Sequence, residues 1–419
     1  MSEVAVECRL ARDYSLENIA DALAYLLVKI TPDPSIKFGQ VPLNAGIVID
    51  VSRSMRKKKI ECAIEAAKHI ITSLRENDWV SAVTFSDEAR VIIPLSKVTD
   101  KISMISALDR IRIESGTRMY HGMETGAREM RGVDLAGVIS RMIVLTDGET
   151  EGEDICRRIA IQEKKDGLVV STLGIGDRYN ENLLAEIANT TVGNFFHLKM
   201  PEQIMPIFQK EIEYASGSII TNVSINLNLL DSVKLVSFDR VYPSYIQFNP
   251  VSERDGTLFI VDIGNISKDE STIFAILLKL PSKPAGKLKI AEVNVSYSIP
   301  DMQVEDRVEK KDVFIEYTGD ESLCVKVNSE VIDYFNQVNV QNLVEKAIHE
   351  SKTGNSAAAT HTLSQARDIT EKTGNAPLFD SITDALADLR QNGEITSEGI
   401  KTIKSGSLHT VRTDRENYA

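Results

Sequence analysis

Two stretches of this sequence set oxygen-bearing side chains directly after apolar runs. Asp50-Val51-Ser52-Arg53-Ser54 continues from Ala45 to Ile49, and Asp147, Gly148 and Glu149 continue from Arg141 to Thr146. A third hydroxyl stands in Ser115-Gly116-Thr117, on a stretch that runs into a helical pattern from Tyr120. Carboxylates and neutral hydroxyls suit a hard cation: Mg2+ binds through one or two carboxylates and keeps several waters. Hydroxyl ligands with the carboxylates partly behind water would leave such an ion electrophilic. The plainer use of Asp50, Ser52 and Ser54 is to cap the helix that follows, since Asp and Ser are favoured there. Position distinguishes the two, because this motif ends an apolar strand and is joined by the Thr117 loop and by a second strand end at Asp147.

The surrounding pattern supplies the elements. Between Leu43 and Ile212 short β-rich runs alternate with longer helical ones, the mark of a parallel sheet with crossover helices. Strands are expected at Ala45 to Asp50, Trp79 to Phe85, Val91 to Pro94, Arg141 to Thr146, Val169 to Gly174 and Asn194 to His197. Helices are expected at Lys59 to Leu74, Lys101 to Ile111, Tyr120 to Met130, Asp154 to Lys165, Glu181 to Ala188 and Glu202 to Tyr214. Ile47-Val48-Ile49 and Met142 to Leu145 are apolar on consecutive residues, as in strands covered on both faces. This is a doubly wound α/β domain, in which ligands bind outside the carboxyl ends of the strands.

From Ser216 the period becomes two, with Val223, Ile225, Leu227 and Leu229 alternating against polar residues, and turn signals follow down to Thr318-Gly319-Asp320. An antiparallel β-sandwich is expected. Val4, Val6, Cys8 and Leu10 alternate in the same way, so the N-terminal segment is assigned to that sandwich and the α/β domain becomes an insertion. Helical patterns at Val331 to Glu350, Ala357 to Thr373 and Pro377 to Asn392 predict a small bundle. The expected layout is a strand segment over 1–42, the α/β domain over 43–215, the sandwich over 216–320, a helical region over 325–400 and a mobile tail over 401–419.

Asp50-x-Ser52-x-Ser54, Thr117 and Asp147 together resemble the metal-ion-dependent adhesion site of the von Willebrand factor type A family. Trp79 to Ser86 and Ser171 to Asp177 extend the resemblance, which covers about Leu43 to Ile212; the wider layout is similar to multidomain bacterial and archaeal intracellular members. The resemblance implies a Mg2+ site, with Mn2+ or Ca2+ as substitutes. Ser52 and Ser54 would ligate directly, Thr117 directly or through water, and Asp50 and Asp147 largely through water. The open position would take an Asp or Glu of a protein partner. It also allows a second role, as an accessory subunit of a partner AAA+ ATPase. The sequence departs from the commoner motif at Arg53, where Gly is frequent, and in Arg56-Lys57-Lys58-Lys59. Cations are unfavourable at a helix start, so Arg53, Arg56, Lys57 and Lys58 are assigned to attracting an acidic partner.

Other chemistries find less support. With 48 Lys and Arg against 61 Asp and Glu, the net charge of -13 argues against general nucleic-acid binding. Cys8, Cys62, Cys156 and Cys324 lack zinc or disulfide spacing. The N-terminus does not read as a secretory signal, and no apolar run approaches the ~20 residues of a spanning helix, so a cytoplasmic protein is expected. Phosphate-loop and Gly-x-Ser-x-Gly motifs are absent. His121 and Glu149 are the residues nearest the motif that a metal-dependent hydrolase would use, and hydrolysis ranks behind binding. In the tail, Thr410 and Thr413 stand among basic residues as candidate kinase sites for a phosphothreonine-reading domain.

Overall fold

A computed structural model describes residues 3–36, 39–132, 137–268 and 270–413. Within those bounds the chain forms two compact units, one from 1–37, 222–299 and 303–419 and the other from 38–221 with 300–302. The α/β part is thus an insertion, as the alternating N-terminal residues predict. The first described strands are β1 (Val4–Leu10), β2 (Tyr14–Leu16) and β3 (Leu23–Pro32); β1 pairs with β3, while β2 and β3 also take partners that come much later.

The inserted unit is built on β4 (Leu43–Asp50), α1 (Lys58–Ser73), β5 (Trp79–Phe85), β6 (Ala89–Lys97), α2 (Lys101–Leu108), α3 (Met119–Met130) and β7 (Ile139–Gly148), then α4 (Glu153–Lys165), β8 (Val169–Arg178), α5 (Glu181–Thr190), β9 (Phe195–Leu198) and α6 (Ile204–Gly217). The sheet order is β6-β5-β4-β7-β8-β9, with all pairs parallel except the edge strand β6. Every residue of β4 is buried, which explains its unbroken apolar reading. Ala63, Ala66, Ala67, Ile70 and Ile71 of α1 share one core with Ile47, Ile49 and Leu145. On α3 the contact is closer: a Cβ added to Gly122 would lie 2.6 Å from the Phe85 ring, and one on Gly126 2.8 Å from Val48. These glycines let α3 lie directly on β4 and β5, which brings the residues before its first turn to the sheet end where Asp50 stands.

After the insertion come β10 (Ser218–Leu229), β11 (Lys234–Tyr242), β12 (Ile246–Phe248), β13 (Ser252–Arg254), β14 (Leu258–Ser267), β15 (Thr272–Lys279), β16 (Gly286–Ile299) and β17 (Val304–Thr318). They join the opening strands in two sheets, β1-β3-β15-β11-β12 and β13-β14-β10-β16-β17-β2. The period-two pattern of Val223, Ile225, Leu227 and Leu229 falls on β10. It misses β3 as a strand, because Leu26, Leu27, Val28 and Ile30 are all buried and the period-two signal disappears.

Four helices follow: α7 (Ser329–Lys352), α8 (Ser356–Thr373), α9 (Ala376–Asn392) and α10 (Ser397–Leu408). The helical region belongs to the same compact unit as the sandwich. Val331, Tyr334 and Val338 of α7 pack with Leu27, Val241, Tyr245, Ile273 and Ala275, and the second half of α7 joins α8, α9 and α10 in another core. Among the described residues, no helix is long and apolar enough to cross a membrane.

The expected mobile tail over 401–419 is corrected here. Residues 401–408 are helical, capped by Thr396, whose hydroxyl accepts from the Gly399 amide at 3.0 Å. Beyond the helix Gln337 holds both polar groups of the Val411 backbone, at 2.8 and 2.9 Å, and Asn375 donates to the His409 carbonyl at 2.9 Å. Side chains distant in sequence order this segment, so its own sparse apolar content gives no sign of it. The hydroxyls of Thr410 and Thr413 are buried, so a kinase would have to lift the segment off α7 to reach them. Residues 414–419 of the expected tail lie outside the described residues.

Candidate functional site

Asp50, the last residue of β4, is fully buried and its carboxylate is fixed from two sides. The Ser52 amide donates to Oδ1 at 2.7 Å and the Thr146 hydroxyl to Oδ2 at 2.7 Å. An Asp whose side chain takes the amide two residues on closes a local turn, and here that turn carries the chain out of the strand. One tight 3-10 turn, Arg53–Met55, anchored by buried Met55, then presents the two serines with their hydroxyls 3.0 Å apart. Their plainer use is not seen, since neither the 3-10 turn nor α1 has a side-chain cap hydrogen bond.

Asp147 reaches the same place from the end of β7. Its carboxylate is buried, accepts from Ser54 Oγ at 2.6 Å, and meets the Lys59 ammonium. Thr117 arrives from the loop before α3. A Cβ on Gly148 would lie 3.6 Å from Thr117 Oγ1 and 3.9 Å from Ser54 Oγ, so the two hydroxyls line one small space beside Gly148. The Thr117 loop is tied down by backbone bonds, Arg118 N to Ser86 O at 2.8 Å and Glu114 N to Val51 O at 2.7 Å. Thr150 adds to this: its hydroxyl accepts from the Met119 amide at 2.9 Å and has the Thr117 and Glu151 carbonyls as acceptors at 3.1 and 2.9 Å. Sequence reading passed over Thr150, although a hydroxyl three residues beyond Asp147 is a visible signal.

The structure therefore brings Asp50, Ser52, Ser54, Thr117 and Asp147 together at the carboxyl end of the sheet. All their donors are oxygens, and two are buried carboxylates, a set that fits a hard dication. Among the described residues no three His, Cys, Asp or Glu side chains are grouped as a metal site, so hydroxyls would complete any coordination here. Burial pushes the Asp50 carboxyl up to about 6, against the hydrogen bonds from Thr146 and Ser52, and the nearby Asp147 charge adds to the rise. Such a pair of acids favours a cation close by.

The basic residues behave less uniformly than expected. Arg53, Arg56, Lys57 and Lys58 are all exposed, but Lys58 is ion-paired with Glu202 and Arg56 Nε donates to the Arg53 carbonyl at 2.7 Å. Lys57 has φ 63° and ψ -130°, a backbone region suited to glycine. Strain of this kind costs about 1–3 kcal/mol, and glycine's extra chain entropy offsets part of the relief. Lys57→Gly is expected to stabilise the protein by about 1 kcal/mol and raise its melting temperature by about 2–4 °C; thermal denaturation showing no rise would remove strain from the account. Glu149 is exposed, and the His121 ring lies against Tyr120 with centroids 4.3 Å apart.

Comparison with known proteins agrees with this architecture. Residues 46–210 match the family model of the von Willebrand factor type A domain. An uncharacterized protein of Synechocystis, sll0103, is 26% identical over 269 residues, which take in 62% of this chain and 63% of that one. The chain thus spans less than two thirds of that relative. A von Willebrand factor type A protein from Catenulispora acidiphila superposes with a TM-score of 0.83 at 18% identity, covering 98% of this chain and 97% of its own. The ArnB paralog VWA2 from Sulfolobus acidocaldarius gives 0.66 at 16% identity, over 97% and 100%. At those identities the likeness is one of fold, and it extends over both units. The inserted α/β unit is where the chain matches the von Willebrand factor type A domain, over residues 46–210.

Proposed function

We propose that the protein is a cytoplasmic, non-enzymatic binding module that holds Mg2+, with Mn2+ or Ca2+ as substitutes, and uses it to grip an acidic side chain of a partner protein. The observation that carries this reading is the meeting of three hydroxyls and two buried carboxylates at one sheet end. Ser52, Ser54 and Thr117 would contact the metal, with Asp50 and Asp147 behind them. When bound, the metal supplies a Lewis-acidic position that a carboxylate can occupy. The chain's own part is to hold the hydroxyls in place: Thr146 and the Ser52 amide fix Asp50, and Thr150 fixes the Thr117 loop. Exposed Arg53 and Lys57, with Arg56 and Lys58 beside them, would draw acidic partners toward the site and speed encounter at low salt.

Capture from host lysate tests this. Wild type and Thr117→Ala are each used with Mg2+ and with chelator, and bound proteins are identified by mass spectrometry. Proteins retained by wild type with Mg2+, and lost in the other three arms, are the expected result. The same proteins in all four arms would move the binding surface away from this site.

A further inference from the structure

Lys59 stands in the first turn of α1, the end of a helix where a positive charge is disfavoured. Its ammonium is nevertheless seated on the Asp147 carboxylate, 2.5 Å from Oδ2. The side chain of Asp147 is 0% exposed and that of Lys59 30%, so the acid is enclosed while the base keeps a route to water. Gly176, at the end of β8, borders the ammonium: a Cβ there would lie 3.7 Å from Nζ. The other Asp147 oxygen takes the Ser54 hydroxyl at 2.6 Å. One carboxylate thus joins the hydroxyl cluster to a tethered monovalent cation.

We propose that Lys59 is a built-in competitor of the divalent cation at Asp147, and that it sets how tightly the site loads. This rests on the metal reading above and goes beyond it, by naming the residue that tunes affinity. Two cations on one buried carboxylate repel each other strongly, because screening by water is weak there. Loading therefore requires the ammonium to leave Asp147. The four-carbon stem of Lys59 is flexible and partly exposed, so the head group can swing into solvent. Because it is tethered, its competition does not dilute away. The arrangement keeps Asp147 neutralised at low metal concentration, and it weakens affinity by the cost of displacing Lys59. An incoming acidic group that takes up the released ammonium would tighten metal binding, by the reciprocity of linked equilibria.

The test is Mn2+ titration of the full chain by calorimetry, with melting curves in chelator and in saturating Mn2+. Lys59→Met is expected to bind Mn2+ about tenfold more tightly, the size of effect when one partly screened charge repulsion is removed. In chelator it should melt below wild type, because Asp147 has lost its counter-charge; in saturating Mn2+ the order should reverse. Lys59→Arg keeps the charge and should stay near wild-type affinity. Lys59→Gln serves in place of the methionine variant if that one does not fold. Neutral variants that bind Mn2+ no more tightly than wild type would overturn the competition and leave the metal site standing. If neither wild type nor variants bind Mn2+, both readings fall together.

Discussion

Asp147→Asn is expected to weaken Mn2+ binding by about a hundredfold, the upper end of what losing a supporting group around a metal costs. The carboxylate is buried and ties together Ser54 and Lys59. Asparagine keeps the shape and one acceptor for Ser54 but removes the charge. Lys59, being partly exposed, can turn to water, so the fold should survive the change. Asp50→Asn sharpens the comparison. Burial raises the Asp50 carboxyl, which means its charge opposes folding when no cation is near. This variant should lose Mn2+ affinity while melting no lower than wild type in chelator. Calorimetry and melting curves on the full chain decide the matter, and Mn2+ affinity unchanged in both variants would place the metal elsewhere.

The second large effect lies in the interior of the same unit. Arg141 of β7 is 5% exposed, and its Nη1 donates to Glu211 of α6 at 2.6 Å and to Ser171 of β8 at 3.2 Å. Ser171 also donates to Glu211, and Asn194 Nδ2 donates to the second Glu211 oxygen at 2.8 Å. The guanidinium lies 5.4 Å from the Tyr214 ring centroid. Removing one member of a buried pair leaves an uncompensated charge, worth about 3–5 kcal/mol. Arg141→Met should therefore lower the melting temperature by about 10 °C. The double variant Arg141→Met with Glu211→Leu should recover most of the loss, because an apolar replacement of both partners is often neutral. If the single variant melts within about 2 °C of wild type, the network contributes little.

Much of the inserted unit is legible from sequence because its physics is local. Strands covered on both faces read as apolar runs, and α1 shows its core face in the spacing of Ala63, Ala67, Ile70 and Ile71. The five candidate site residues could be placed because each follows a strand or precedes a helix. What escaped depends on distant partners. Arg141 and Glu211 stand 70 residues apart, with nothing in either neighbourhood to mark them as a pair. Lys59 reads as one more member of a basic run until the fold sets it over Asp147. The stretch from His409 to Val411 is held by Gln337 and Asn375, contacts that no local pattern carries.

The insertion also has a consequence for the order of events during synthesis. β3 lies between β1 and β15, and Thr31 meets Ser271, 240 residues further on, through their hydroxyls at 2.9 Å. At cellular rates of elongation the ribosome needs roughly 10–50 s to cover that distance. During this time Leu26, Leu27, Val28 and Ile30, all within 1% of complete burial in the finished protein, have no β15 to cover them. The inserted unit draws its sheet from one continuous stretch and can assemble while they wait. Nascent chains stalled before residue 272 should therefore be the aggregation-prone or chaperone-bound species, and β3, made before the inserted unit, is completed only after it.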